Sequence, residues 1–131
     1  MRELLQYEDL IGVPFKRNGK SPDEGFDCYW LCWYLRERIN RPIPEKEFSA
    51  FRVVRSGDVE KFKARFVRLK KPQPYCLVYF RRGELESHVG LVLADCNRFI
   101  EVDDKIGVHV ERLNAPWVRI GVDAYYDYQS A

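Results

Sequence analysis

Strand-forming runs crowd into the second half of this sequence, after a helix-forming first part. "YCLVYF" (75–80), "HVGLVL" (88–93), "RFIEVD" (98–103), "GVHVERL" (107–113) and "WVRIGV" (117–122) are short and rich in β-branched and aromatic residues. Before Pro72 and Pro74 no strand signal is found. Instead, Leu4, Leu5, Tyr7, Leu10 and Ile11 fall at helical spacing until Gly12-Val13-Pro14 stops them. Residues 16–25, "KRNGKSPDEG", read as loop. The strongest helix is expected from about Cys28 to Ile39, ended by Asn40 and Pro42, and another from about Asp58 to Phe66. Helices first and strands second predict an α+β fold. N-terminal helices would pack on a C-terminal antiparallel sheet of about five to six strands, its runs joined as a meander by short turns.

At 131 residues the chain is expected to be a single domain, 1–131, large enough for a core but too small for two ordinary ones. A content of 46% hydrophobic and 15% aromatic residues excludes a disordered chain. The 22 basic and 20 acidic residues are well mixed, which gives no reason to expect nucleic acid as a partner. "RLKK" (68–71) reads as a solvated loop rather than a phosphate-binding patch. No run approaches membrane-span length, and Glu3, Glu8 and Asp9 break any signal-peptide core, so no membrane partner and a cytoplasmic site of synthesis are expected. Cys28, Cys32, Cys76 and Cys96 are then expected to be reduced.

Within "SPDEGFDCYWLCWYL" (21–35), Asp27 is a favoured helix N-cap, which makes Cys28 the first helical residue. There it meets unpaired backbone N–H groups and the positive end of the helix dipole, which favour a thiolate. The same N–H groups can hold an oxyanion formed when that thiolate attacks a carbonyl. Cys32, one turn further on among Leu31, Trp33 and Leu35, reads as core.

A nucleophile needs a base, and the chain has two histidines. His109 sits inside a strand run, whereas His88 stands at a strand end beside Gly90, whose missing side chain lets another group come close. If "HVGLVL" and "RFIEVD" form a hairpin about "ADCN", facing residue numbers sum to 189 or to 191. The first register sets Glu101 opposite His88; the second sets Asp103 there, with Glu101 one pair along. In both, Glu101 shares the face of His88, while Val89, Leu91, Ile100 and Val102 take the other. A carboxylate beside an imidazole is the orienting third member that thiol catalysis uses.

"GVPFKRNGKSPDEGFDCYWLCWYL", followed sixty residues after its Cys by "SHVGLVL", resembles the NlpC-type papain-like cysteine peptidases of bacterial cell walls. The likeness spans roughly residues 5–128 and is closest to small phage-tail and prophage members, which share the aromatic-rich ending seen here as "WVRIGVDAYYDY" (117–128). The resemblance implies a papain-like NlpC-type fold. It also implies a thiol hydrolase acting on peptide bonds of peptidoglycan stem peptides, with no metal and no cofactor. It makes Cys28 the nucleophile, His88 the general base and Glu101 the third polar residue, where the family commonly has His. A carboxylate can accept the imidazole N–H, and it favours the ring's charged form more than a neutral partner does. Phe15, Asp27, Tyr29 and Trp30 fall where such enzymes meet substrate. Three of these depart from the family pattern: Phe15 stands for a usual Tyr, and Tyr29 and Trp30 for a usual Ser and Gly. Phage-tail proteins as partners, and a virion tail as location, follow from the subgroup likeness alone.

Other readings are weaker on the residues. A catalytically weak or inactive tail component would use aromatic residues such as Tyr125, Tyr126 and Tyr128 as a binding surface. A metal module built on Cys28, Cys32, His88 and His109 matches zinc spacings poorly, and a redox dithiol needs a C-x-x-C that is absent. A related thiol amidase or acyltransferase on the same fold is not excluded by the residues, because fold does not fix reaction.

Overall fold

The computed structural model describes residues 4–53, 66–82 and 86–129. A 3-10 turn at Glu8–Leu10 leads to a small hairpin of β1 (Lys20–Ser21) and β2 (Gly25–Phe26). Two helices follow, α1 (Cys28–Arg38) and α2 (Glu45–Val53). Then come β3 (Phe66–Leu69), β4 (Leu77–Arg82), β5 (Glu86–Val92), β6 (Arg98–Asp103) and β7 (Gly107–Arg112), the short α3 (Pro116–Gly121), and β8 (Val122–Tyr128). Strands β3 to β8 form one six-stranded antiparallel sheet in the order β3-β8-β4-β5-β6-β7. The expected α+β class and sheet size hold.

Core packing follows strand alternation. One sheet face carries Leu77, Tyr79, Val89, Leu91, Ile100, Val102, Val108 and Tyr126, all buried in one cluster with Leu31, Cys32 and Leu35 of α1. Cys76, Val78, Phe80, Val92 and Phe99 form a second cluster with Leu113 and with Val118 of α3. Phe48 of α2 is fully buried and packs on Tyr29 and Trp30, with ring centroids 6.1 and 5.9 Å away.

Several expectations fail for identifiable reasons. The first helix reduces to the 3-10 turn, and the Leu5 N–H instead donates to Tyr75 Oη at 3.1 Å, a tertiary bond in place of a helical one. Within 16–25 the loop contains β1 and pairs with β2, its turn tied by Glu24 N–H to Ser21 Oγ and Lys20 N–H to Glu24 Oε1. The expected helix near 58–66 lies outside the described residues except for Phe66, which opens β3. Strands thus precede Pro72, and α2 occupies a stretch read as a connection. "WVRIGV" is not a strand: Pro116 sits in the first turn of α3, and the strand begins at Val122. Only β4 to β7 follow one another as a meander, because β8 inserts between β3 and β4. Among the described residues, no helix is long and apolar enough to cross a membrane.

One buried cation ties α1 to the sheet and the chain that follows. Arg36, 3% exposed, donates from Nη1 to Tyr75 O at 2.8 Å and to Asp127 Oδ1 at 2.9 Å, and from Nε to Arg41 O at 2.9 Å. Removing it strands a buried carbonyl and an acidic partner. Arg36→Met is therefore expected to lower unfolding free energy by about 3 kcal/mol, read from urea denaturation. A change under about 0.5 kcal/mol would show that the network contributes nothing net.

Candidate active site

The Gly-Phe-Asp-Cys turn is built by three backbone constraints. Gly25 has φ +99°, and a Cβ there would lie 2.8 Å from Lys16 Cβ and from Pro14 O, so a side chain is excluded both by conformation and by space. Phe26 N–H donates to Pro14 O, and Phe26 O accepts Lys16 N–H, binding the turn to residues 14–16. Asp27 is extended (φ −82°, ψ 152°) and 4% exposed. Its Oδ1 accepts Tyr29 N–H at 3.0 Å and its Oδ2 accepts Asn18 N–H at 3.1 Å. The cap therefore closes α1 and holds the preceding loop at once.

Cys28 is the first residue of α1 and 9% exposed. All four cysteines are free. Burial pushes the Cys32 thiol well above its ordinary range, reinforced by the nearby Cys28, Asp27 and Glu101 charges and opposed by Arg36. Burial pushes Cys76 up to about 12. Both are thereby held as neutral, structural thiols.

His88 lies on β5, paired with Phe80 of β4, and is 7% exposed. Its ring stacks obliquely on Phe80, centroids 5.6 Å apart. Its Nε2 is hydrogen-bonded to Oε1 of Glu101, a carboxylate that is 2% exposed on β6. Because a carboxylate only accepts, Nε2 carries an N–H, and in the neutral tautomer Nδ1 is the ring nitrogen with the lone pair. The β5–β6 register is the second of the two anticipated: Leu91 faces Ile100 and Val92 faces Phe99, pairs summing to 191. His88 thus reaches Glu101 along a diagonal rather than straight across. Gly90 matters as expected, and the group that closes on it is Phe99: a Cβ at Gly90 would stand 2.7 Å from Phe99 Cδ2.

Helix α1 packs on both β5 and β6, over the strand face that carries Val89 and Leu91, whereas His88 shares the other face with Phe80. Of the residues expected to meet substrate, Phe15 is 40% exposed, whereas Asp27, Tyr29 and Trp30 are buried, at 4%, 4% and 5%. Trp30 also stacks edge-on with Trp33 and lies under Lys20 Nζ, 4.3 Å from the ring centroid. His109, which no sequence argument singled out for the site, stands directly opposite Glu101 on β7 with Nε2 3.2 Å from Oε2. The signal for it was strand alternation across a second hairpin, whose register the sequence left open.

The NlpC/P60 family model matches residues 12–121. The chain belongs to that family. Its fold is similar to that of a lipoprotein-like NLP/P60 protein from Staphylococcus aureus (TM-score 0.63, 19% identity, 94% of this chain and 39% of that one). It is equally similar to an NlpC/P60 protein from Bacillus cereus (TM-score 0.63, 20% identity, 97% of this chain and 41% of that one). The NlpC/p60 domain of the peptidoglycan hydrolase SagA matches over 92% of this chain and 91% of that domain (TM-score 0.57, 19% identity). No curated protein sequence matches this chain. The chain spans about two fifths of the length of the first two of these structures.

Two stability predictions follow from this NlpC/P60 geometry. Asp27→Ala frees two backbone N–H groups and should cost about 2 kcal/mol in denaturant unfolding. Cys76 carries the second. An unfolded thiol loses its proton near the ordinary value of 9.0, whereas the folded one keeps it to about 12. The native state then binds more protons in that window, so stability falls as pH rises through it. A pH series of melting curves should show a shallower fall for Cys76→Ala than for the parent protein.

Proposed function

We propose that this chain is a cysteine peptidase that cleaves peptide bonds in stem peptides of bacterial peptidoglycan. Cys28 serves as nucleophile, His88 as general base and Glu101 as the residue that orients His88. The observation that carries this reading is the division of labour on the imidazole. Glu101 accepts the Nε2–H hydrogen bond, which fixes the ring and, in the neutral imidazole, leaves Nδ1 to accept the Cys28 proton. Membership of NlpC/P60, and the likeness to a domain whose parent is named a peptidoglycan hydrolase, support the substrate class.

The steps follow from that tautomer. The Sγ proton of Cys28 passes to His88 Nδ1, and the thiolate sulfur bonds to the peptide carbonyl carbon. Backbone N–H groups at the start of α1 stabilise the oxyanion. As the C–N bond breaks, His88 returns the proton to the leaving amine, and water then hydrolyses the thioester with His88 again taking a proton. Phe15, at the exposed end of the turn, is the residue best placed to touch a peptide.

A second reading has its own support. Tyr29 and Trp30 are packed into the core against Phe48, and Cys28 itself is only 9% exposed. That closure favours a catalytically weak or inactive NlpC-like component of a phage tail, bound to other tail proteins. The phage association rests on the sequence likeness to tail members.

Alkylation of each cysteine across pH, followed by mass spectrometry, separates the two readings without a guessed substrate. Cys28 should react fastest well below pH 8, with Cys32 and Cys76 protected, and His88→Ala should slow Cys28 alone. On peptidoglycan fragments, Cys28→Ala should abolish peptide cleavage and His88→Ala should reduce it by about 100-fold or more. A Cys28 that reacts no faster than Cys96 and ignores His88 would sink the peptidase reading and leave the tail component.

A further inference from the structure

Strand pleating places four metal-ligating side chains on one face of the β6–β7 hairpin. Glu101 and Asp103 alternate along β6, His109 and Glu111 along β7, and Glu101 faces His109 directly. His109 Nε2 lies 3.2 Å from Glu101 Oε2, 3.4 Å from Glu111 Oε2 and 4.0 Å from Asp103 Oδ2. We propose that His109, Glu101 and Glu111, with Asp103 alongside, form a binding site for a divalent transition-metal cation of the zinc class.

The tautomer of His109 is the independent observation. Its Nδ1 lies 2.8 Å from Gly107 O, which can only accept, so Nδ1 carries the proton. Nε2 is then the ring atom turned to the carboxylate oxygens, where a bound cation or a proton on Nε2 balances their charge. A backbone carbonyl holding the far nitrogen is how metal-bound histidines are commonly fixed. The carboxylates are held in the same manner. Glu101 Oε1 is engaged by His88 Nε2, and Asp103 Oδ1 accepts the N–H groups of Lys105 and Ile106 at 2.9 and 2.7 Å. Glu101 and Asp103 are thus each held through the oxygen that does not point at His109 Nε2.

Spacing fits the ion. Ligand atoms bound tetrahedrally at about 2.0–2.1 Å from zinc stand about 3.3–3.4 Å from one another. The ligand atoms of Glu101, His109 and Glu111 all lie within 4.8 Å of one another. One imidazole with carboxylates suits zinc and its neighbours better than magnesium or calcium, which prefer oxygen alone. Glu111 and Asp103, each with 30% of the side chain exposed on a hairpin at the sheet edge, give the ion an entry route. This group does not include Cys28, Cys32 or His88, so it is distinct from the cysteine-based module that the sequence disfavours. Because Glu101 also holds His88, an ion here would alter the partner of that imidazole. That consequence rests on the peptidase reading, whereas binding itself does not.

Zn2+ titration of chelator-stripped full-length protein, in competition with a chromophoric chelator, tests the site without any activity assay. One ion per chain is expected. Glu111→Gln, a near-isosteric surface change that should leave the metal-free melting curve unaltered, should weaken binding at least about tenfold, and His109→Ala should do the same. Cys28→Ser should bind as the parent does. Co2+ in place of Zn2+ should give visible bands without the strong near-ultraviolet absorption of a thiolate ligand. No stoichiometric binding, binding that survives both Glu111→Gln and His109→Ala, or binding lost in Cys28→Ser would overturn the proposal. In the first case a proton on Nε2 is the positive centre.

Discussion

Asp27 decides where α1 begins, and the packing of the whole molecule inherits that choice. Its two oxygens satisfy Tyr29 N–H inside the helix and Asn18 N–H in the loop before it. With the first turn fixed, Leu31, Cys32 and Leu35 fall on the face that meets the sheet. Moving the helix start by one residue would rotate that face by about 100° and present Tyr34 and Arg36 elsewhere. The buried guanidinium of Arg36 would then lose Tyr75 O and Asp127. A single cap thus sets the core contacts of α1, the anchoring of its last turn and the place of Cys28.

The sheet supplies the second constraint, which is sidedness. Val89 and Leu91 face α1, so Gly90 and His88, which alternate with them, face away, and His88 joins Phe80 and Phe99 on that other face. The absence of a side chain at Gly90 lets Phe99 lie over the strand. Packing Phe80 and Phe99 against each other (centroids 5.4 Å apart) walls the imidazole and strengthens its bond to Glu101 by excluding water. The apolar residues around His88 are therefore part of how the polar pair is held.

The legible features of the sequence were those set by local rules. Asp27 announced a cap, the run from Cys28 announced its helix, and strand alternation put His88 and Glu101 on one face. Features that failed depend on distant partners. Leu4 to Ile11 have helical spacing, yet Tyr75, seventy residues on, takes the Leu5 N–H. "WVRIGV" has strand composition, yet Pro116 starts a helical turn and β8 is drawn between β3 and β4 by pairing with both. Burial of Tyr29 and Trp30 likewise depends on Phe48 in α2, a helix that the sequence did not distinguish from a connection.

Glu101 shows how one buried acid joins two histidines. A carboxylate at 2% exposure needs both oxygens engaged, because an unsatisfied buried charge costs several kcal/mol. Oε1 meets His88 and Oε2 faces His109, so one buried acid is supported from two neighbouring strands. His109 is in turn held by Gly107 O and set among Asp103 and Glu111. The orientation of His88 therefore depends on the edge strand of the sheet as well as on its own strand. A change at His109 reaches His88 through the carboxylate that the two share.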